Sequence, residues 1–259
     1  MRCRALLLTI LLALMPAGRA VACDVALVLA VDVSGSVDET EFRIQMQGLA
    51  EGLRDGAVSE ALVAGEAAVM VLQWTGTSRQ AVTVPWTQMT SFEALEGFAA
   101  KVAAAPRKWR NFSTAIGEAL EFSRLQFAEA PDCKRRVIDI SGDGSSNEGV
   151  TPREVRPGLE AAGIVVNALV IEGAEPGITE YFWENVILGE GAFVITANTY
   201  AEYPARMRRK LLREVAKQIS GGESLEVPAL CDHAKRLVIT NAGNATNCLR
   251  FPGFRALHP

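Results

Sequence analysis

Two patterns of apolar and polar residues alternate along this 259-residue chain. In the first, apolar residues run almost unbroken: 25–31, 67–74, 137–140, 164–171 and 192–196. Short runs rich in Val, Ile and Leu predict strands buried on both faces, as in a parallel sheet. In the second, apolar residues return every three or four positions. Phe42, Met46, Leu49 and Leu53 form one such set; Phe92, Leu95, Phe98 and Val102 another; Met207, Leu211, Val215 and Ile219 a third. That spacing predicts helices with one buried stripe. Ile116, Leu120 and Phe127 mark a further helix headed by Thr114, where a threonine usually caps. Helices are also expected from Thr151-Pro152 to Gly163 and over 178–187. Residues 80–84 alternate, which suits an antiparallel edge strand, and Pro85 ends the clean pattern. Residues 55–65 read as a loop. The order predicts an α/β fold: a doubly wound, mostly parallel six-stranded sheet with one antiparallel edge strand and helices on both faces.

Polar residues matter most where the apolar runs stop. The first run ends in Asp32-Val-Ser34-Gly-Ser36, which sets a carboxylate and two hydroxyls at alternate positions. Such hard oxygens suit Mg²⁺, Mn²⁺ or Ca²⁺. A lone carboxylate is weak for a dication, so a second acid is needed. The run 137–140 ends in Ser141-Gly-Asp143-Gly144 and supplies one. Loops at the carboxyl ends of parallel strands are where open α/β sheets take ligands. The bland alternative for the first loop is a Ser-rich turn that caps the next helix. Residues 105–112 carry the basic aromatic cluster Pro106-Arg-Lys-Trp-Arg110. It reads either as a solvated rim or as a wall that attracts acidic ligands.

Charge and cysteines narrow the setting. Arg2 and Arg4 precede an apolar stretch, 5–15, and the small residues Ala20-Val-Ala22. This is the pattern of a signal peptide over residues 1–22, too short for a comfortable membrane span. Export to the periplasm or beyond follows, with a lipid anchor on Cys23 as a minor alternative. The formal net charge is −4, and the leader holds three arginines and no acid, so the remainder is more acidic still. That argues against nucleic acid as a partner. Past the leader the chain keeps Cys23, Cys133, Cys231 and Cys248, an even number that suits two disulfides. Cys23, at the start of the first strand, lies nine residues before Asp32, and Cys133, just ahead of another buried strand, lies ten before Asp143. If those strands are parallel neighbours, the two sulfurs meet at the end of the sheet opposite the metal loop. Cys231 and Cys248 would then pin residues 221–259, a loop-rich extension with one expected strand at 236–240. Free thiols are the alternative.

Asp32-Val-Ser34-Gly-Ser36, Thr114-Ala-Ile-Gly-Glu-Ala-Leu and Ser-Gly-Asp143-Gly follow one another in an order and spacing that resembles the von Willebrand factor A domain family. Within it the chain is similar to small exported bacterial members of unassigned function. The resemblance covers about 24–220. It implies a metal-ion-dependent adhesion site. There Ser34 and Ser36 would coordinate the cation, Mg²⁺ by preference. Thr114 would bind directly or through water. Asp32 and Asp143 would act largely through water. An open coordination position would accept an Asp or Glu carboxylate from a protein partner. The family's sheet order also sets the first and fourth strands side by side, as a Cys23–Cys133 bond requires. The Gly-Gly that often precedes the threonine is missing, and Ser113 could replace Thr114 if the register slips by one.

These expectations describe a non-enzymatic binding module. Two other classes compete. A domain whose metal only stabilises the fold would show metal-dependent melting without a partner. A hydrolase would need a base, yet the only histidines are His233 and His258, both in the tail, and no Gly-x-Ser-x-Gly occurs.

Overall fold

In the computed structural model of the chain, residues 23–173 and 175–220 can be described. The leader, the tail, Cys231–Cys248 and both histidines lie outside the described residues. Fourteen elements follow one another: β1 (Cys23–Asp32), α1 (Glu39–Arg54), α2 (Gly56–Ala64), β2 (Ala68–Trp74), β3 (Gln80–Gln88), α3 (Phe92–Ala104), α4 (Ile116–Gln126), β4 (Cys133–Gly142), α5 (Pro152–Ala161), β5 (Ile164–Ile171), α6 (Ile178–Asn185), β6 (Val194–Ala197), a 3-10 turn (Tyr200–Glu202) and α7 (Tyr203–Ser220).

The strands form one six-stranded sheet in the order β3-β2-β1-β4-β5-β6. All neighbours are parallel except β2 and β3. The expected fold class is therefore observed. The unbroken apolar run of β1 explains its central place, because every second residue feeds a different core. Val25, Leu27, Leu29 and Val31 pack under α1, α2, α3 and α7. Ala26, Val28 and Ala30 pack on the other face, under α4, α5 and α6. A strand with a polar face could not sit there. Each fully buried leucine of this kind contributes roughly 1.5–3 kcal/mol.

Three local expectations change. Residues 55–65 are not a loop: α2 fills them, capped by Asp55, whose side chain accepts from Ala57 N and Val58 N. Alanine and valine fill that helix with no clear polar face, so periodicity did not reveal it. The strand β3 runs on through Pro85 to Gln88, with register shifts against β2. An edge strand tolerates a residue without an N–H. Thr114 does not cap α4. Its N-cap is Ala115, with no side-chain cap, which leaves the threonine hydroxyl for other work.

Strand order 3-2-1-4-5-6 reverses direction of growth between β1 and β4. Cys23 pairs in register with Cys133, and the two form a disulfide. It closes the amino end of the two strands. Their carboxyl ends carry Asp32 and, one residue past β4, Asp143.

Candidate metal centre

The centre is built from three connections that meet at the carboxyl ends of β1 and β4. The first is the β1–α1 turn. Asp32 is fully buried and its Oδ1 accepts the Ser34 N–H at 2.7 Å, which curls the chain so that Ser34 and Ser36 face the same way. Their hydroxyl oxygens lie 3.2 Å apart. The second connection is the turn after β4. Asp143 is buried, and its Oδ1 accepts the Ser36 hydroxyl at 2.6 Å. Its Oδ2 accepts the Tyr200 hydroxyl at 2.8 Å. The third is the segment before α4. The Asn147 side chain accepts the Thr114 N–H at 2.9 Å, and the Asn147 N–H returns to the Thr114 carbonyl at 2.9 Å. This two-way clamp fixes the Thr114 backbone. Its Oγ1 then stands within 4 Å of where a Cβ on Gly144 would lie.

Ser36, Thr114 and Asp143 line a pocket of about 270 Å³, together with Asn147 and Glu175. Asp32 and Ser34 lie beneath it, linked through the Ser36–Asp143 contact. Of the residues expected from sequence, Asp32, Ser34, Ser36 and Asp143 are joined by one chain of contacts, and Thr114 faces the same pocket. Ser113 also lines it, but its carbonyl is held by the Thr75 hydroxyl at 2.8 Å.

The electrostatics favour a cation. Asp32 Oδ2 is buried and has no hydrogen-bond partner among the described residues. A Cβ on Gly142 would come within 3.2 Å of that oxygen and within 3.4 and 3.5 Å of the Phe182 and Trp74 rings, so the backbone beside Asp32 is closely packed. Burial, then the neighbouring Asp143 carboxylate, push the Asp32 carboxyl up to about 8. Two buried carboxylates without a counter-charge are costly, and a dication removes that cost. Burial and the two carboxylates also push the Tyr200 hydroxyl up, so it remains a donor to Asp143. The donor set is two carboxylates and three hydroxyls. It fits Mg²⁺, Mn²⁺ or Ca²⁺ in chemistry and is too hard for copper or a thiophilic metal. Among the described residues, no group of three or more His, Cys, Asp and Glu side chains converges as a closed metal cage.

Residues outside the motifs hold the centre in place. The Arg107 guanidinium donates to the carbonyls of Val33 and Ser34 at 3.1 and 3.0 Å and to that of Trp109 at 2.8 Å. The Gly35 N–H reaches the Phe112 carbonyl at 2.8 Å. The 105–112 segment is thus a brace under the β1–α1 turn. Arg110 is engaged by Glu39 at 2.7 Å, and no basic side chain lines the pocket. Tyr200 and Glu175 were not singled out from the sequence. Arg107 was read there within the basic cluster, as solvated rim or acid-attracting wall, and Asn147 only as the end of the Gly-rich turn after Asp143.

A family model described as "Protein of unknown function (DUF1194)" matches residues 22–219. The chain belongs to that family, DUF1194. No curated protein matches this DUF1194 chain. Solved structures do. Proximal thread matrix protein 1 from the mussel byssus has a TM-score of 0.58 at 18% identity, over 75% of this chain and 48% of the mussel protein. The DUF1194 chain therefore spans about half of that protein. A further structure of the mussel protein, with a zinc-occupied MIDAS motif, has a TM-score of 0.52 at 21% identity, over 75% of this chain and 48% of that one. The vWF domain of the pili tip protein Mfa5 from Porphyromonas gingivalis has a TM-score of 0.56 at 11% identity, over 79% of this chain and 99% of that one. At these identities the likeness establishes the fold: this DUF1194 member has a von Willebrand factor A-like domain.

Proposed function

We propose that the protein is an exported, non-enzymatic binding module that holds a divalent cation and, through it, a carboxylate of a protein partner. Mg²⁺ is the cation we favour, with Mn²⁺ or Ca²⁺ able to replace it. Ser34 and Ser36 hold it by their hydroxyls, and Thr114 joins directly or through water. Asp32 and Asp143 orient these donors and balance the charge. One observation carries the reading: Asp32, Ser34, Ser36 and Asp143 are connected by hydrogen bonds while the buried Asp32 Oδ2 has no partner. Because Asp32 and Asp143 act through water, the cation keeps an inner coordination position that an incoming carboxylate can take. The zinc-occupied motif in the mussel neighbour and the pilus-tip setting of another support this reading.

The domain boundaries we propose are a leader over 1–22, the binding domain over 23–220 and a pinned extension over 221–259. The Cys23–Cys133 bond supports export, since disulfides persist outside the reducing cytosol. It also leaves Cys23 without a thiol to acylate, which disfavours the lipid anchor. Among the described residues no helix is long and apolar enough to cross a membrane.

Calorimetric titration of the protein with Mg²⁺, Mn²⁺ and Ca²⁺, beside Asp32→Ala, tests the reading. The wild type should bind at least one cation and the variant none. Equal binding by both would overturn it.

A further inference from the structure

The sequence left room for a basic wall that attracts acids, and the structure puts an acid there instead. Glu175 follows β5 and lines the same pocket as Ser36, Thr114 and Asp143. It is half-buried. Its Oε2 accepts the Ser145 N–H at 2.9 Å, which pins the carboxylate over the turn that carries Asp143. Gly144 lies between Glu175 and Thr114: a Cβ there would stand 3.8 Å from Glu175 Oε2 and 3.7 Å from Thr114 Oγ1. Glu175 thus shares the pocket with the side chains that would hold the cation. The two arginines of the 105–112 segment are turned to other partners, Arg107 to backbone carbonyls and Arg110 to Glu39.

Charge bookkeeping then limits the partner. A bound dication with Asp32, Asp143 and Glu175 leaves the pocket at one net negative charge. A bare carboxylate adds a second and meets Glu175 at close range. A carboxylate that brings its own cation does not, because that cation can pair with Glu175 while the carboxylate reaches the metal.

Resting on the metal reading above, we propose that Glu175 is a specificity-determining residue, and that the site takes an acidic side chain flanked by a basic one. The partner is thus a protein segment with an Asp or Glu next to a Lys or Arg. A purely acidic surface is disfavoured.

Two capped dipeptides test this, Asp-Lys and Asp-Ala, titrated onto the Mn²⁺-loaded and the metal-free protein. On loaded wild type, Asp-Lys should bind more tightly by about tenfold, the scale of one partly screened charge pair. In Glu175→Gln the preference should vanish, chiefly because Asp-Ala binds better. Glu175→Asp should keep it in reduced form. Absence of a preference in the wild type, or its survival in Glu175→Gln, overturns the proposal and leaves the metal site standing. Peptide binding that is indifferent to Mn²⁺ would instead sink the metal reading, and this inference with it.

Discussion

Two buried carboxylates near one another in the sheet meet opposite fates. Asp139 lies mid-strand in β4 and Asp32 ends β1; their strands are hydrogen-bonded neighbours. Asp139 is ion-paired with Lys210 of α7, and both are almost wholly buried. One turn further along α7, buried Glu214 takes the Asn167 amide at 2.6 Å and Arg135 at 3.3 Å. Asn167 in turn accepts the Phe193 N–H at 3.0 Å. There the chain supplies every counter-charge itself, and the result is a helix locked to a sheet. At Asp32 it supplies backbone and hydroxyl donors and stops. The same sheet therefore separates structural charge from charge kept for a ligand. Burial does not distinguish the two; the presence of an internal cation does.

The sharpest break of this comparison is Lys210→Met. It keeps the side chain's bulk and leaves Asp139 charged in an apolar layer. Removing one partner of a buried pair costs roughly 3–5 kcal/mol, read as a fall in the urea midpoint. Adding Asp139→Leu should recover most of that loss. A single variant within about 1 kcal/mol of wild type would mean that the pair is not what docks α7, since exposed pairs are worth no more than that.

Next in size is a pH effect at the other carboxylate. The folded metal-free protein holds the Asp32 proton up to about 8, whereas the unfolded chain releases it near the ordinary carboxyl value of 3.8. Between those limits the folded state binds more protons than the unfolded one, so stability falls as pH rises from about 4 to about 8. Unfolding in chelator across that range should show the decline. Asp32→Asn should flatten it, and millimolar Mg²⁺ should flatten it in the wild type by replacing the proton. If the decline persists unchanged in Asp32→Asn, Asp32 is not its source.

The difference between the two carboxylates also marks what could be read without coordinates. The strands and the five expected site residues each sit in a local pattern: apolar runs that stop at Asp32 and just before Asp143, and a helix headed by Thr114. The Cys23–Cys133 pairing was suggested by similar distances, nine residues to Asp32 and ten to Asp143, once the family resemblance set the two strands side by side. What escaped is long-range. Tyr200 reaches Asp143 across 57 residues and Arg107 reaches Val33 across 74. Neither leaves a periodic trace. Lys210 and Asp139 look like an exposed lysine and an interruption of a strand until α7 is laid on β4. Even α2 was missed for a physical reason, because a helix of small apolar residues lacks the polar stripe that betrays one.

The finest test lies between the two cases, at Asp143. Its Oδ1 is served by Ser36 and its Oδ2 by the buried Tyr200 hydroxyl. Tyr200→Phe removes one hydroxyl, leaves the ring in its slot and keeps the Ser36 bond. The carboxylate is therefore still supported by Ser36. The expected loss of stability is about 1 kcal/mol, the usual worth of one hydrogen bond to a protein group. Cation affinity should fall by less than about tenfold, the low end for loss of a group that orients a metal's ligands. Calorimetry on Tyr200→Phe beside Asp143→Asn ranks the two. A loss in Tyr200→Phe as large as in Asp143→Asn would make the tyrosine the main support of the centre, and would tie the 3-10 turn ahead of α7 to cation binding as firmly as Lys210 ties α7 to the sheet.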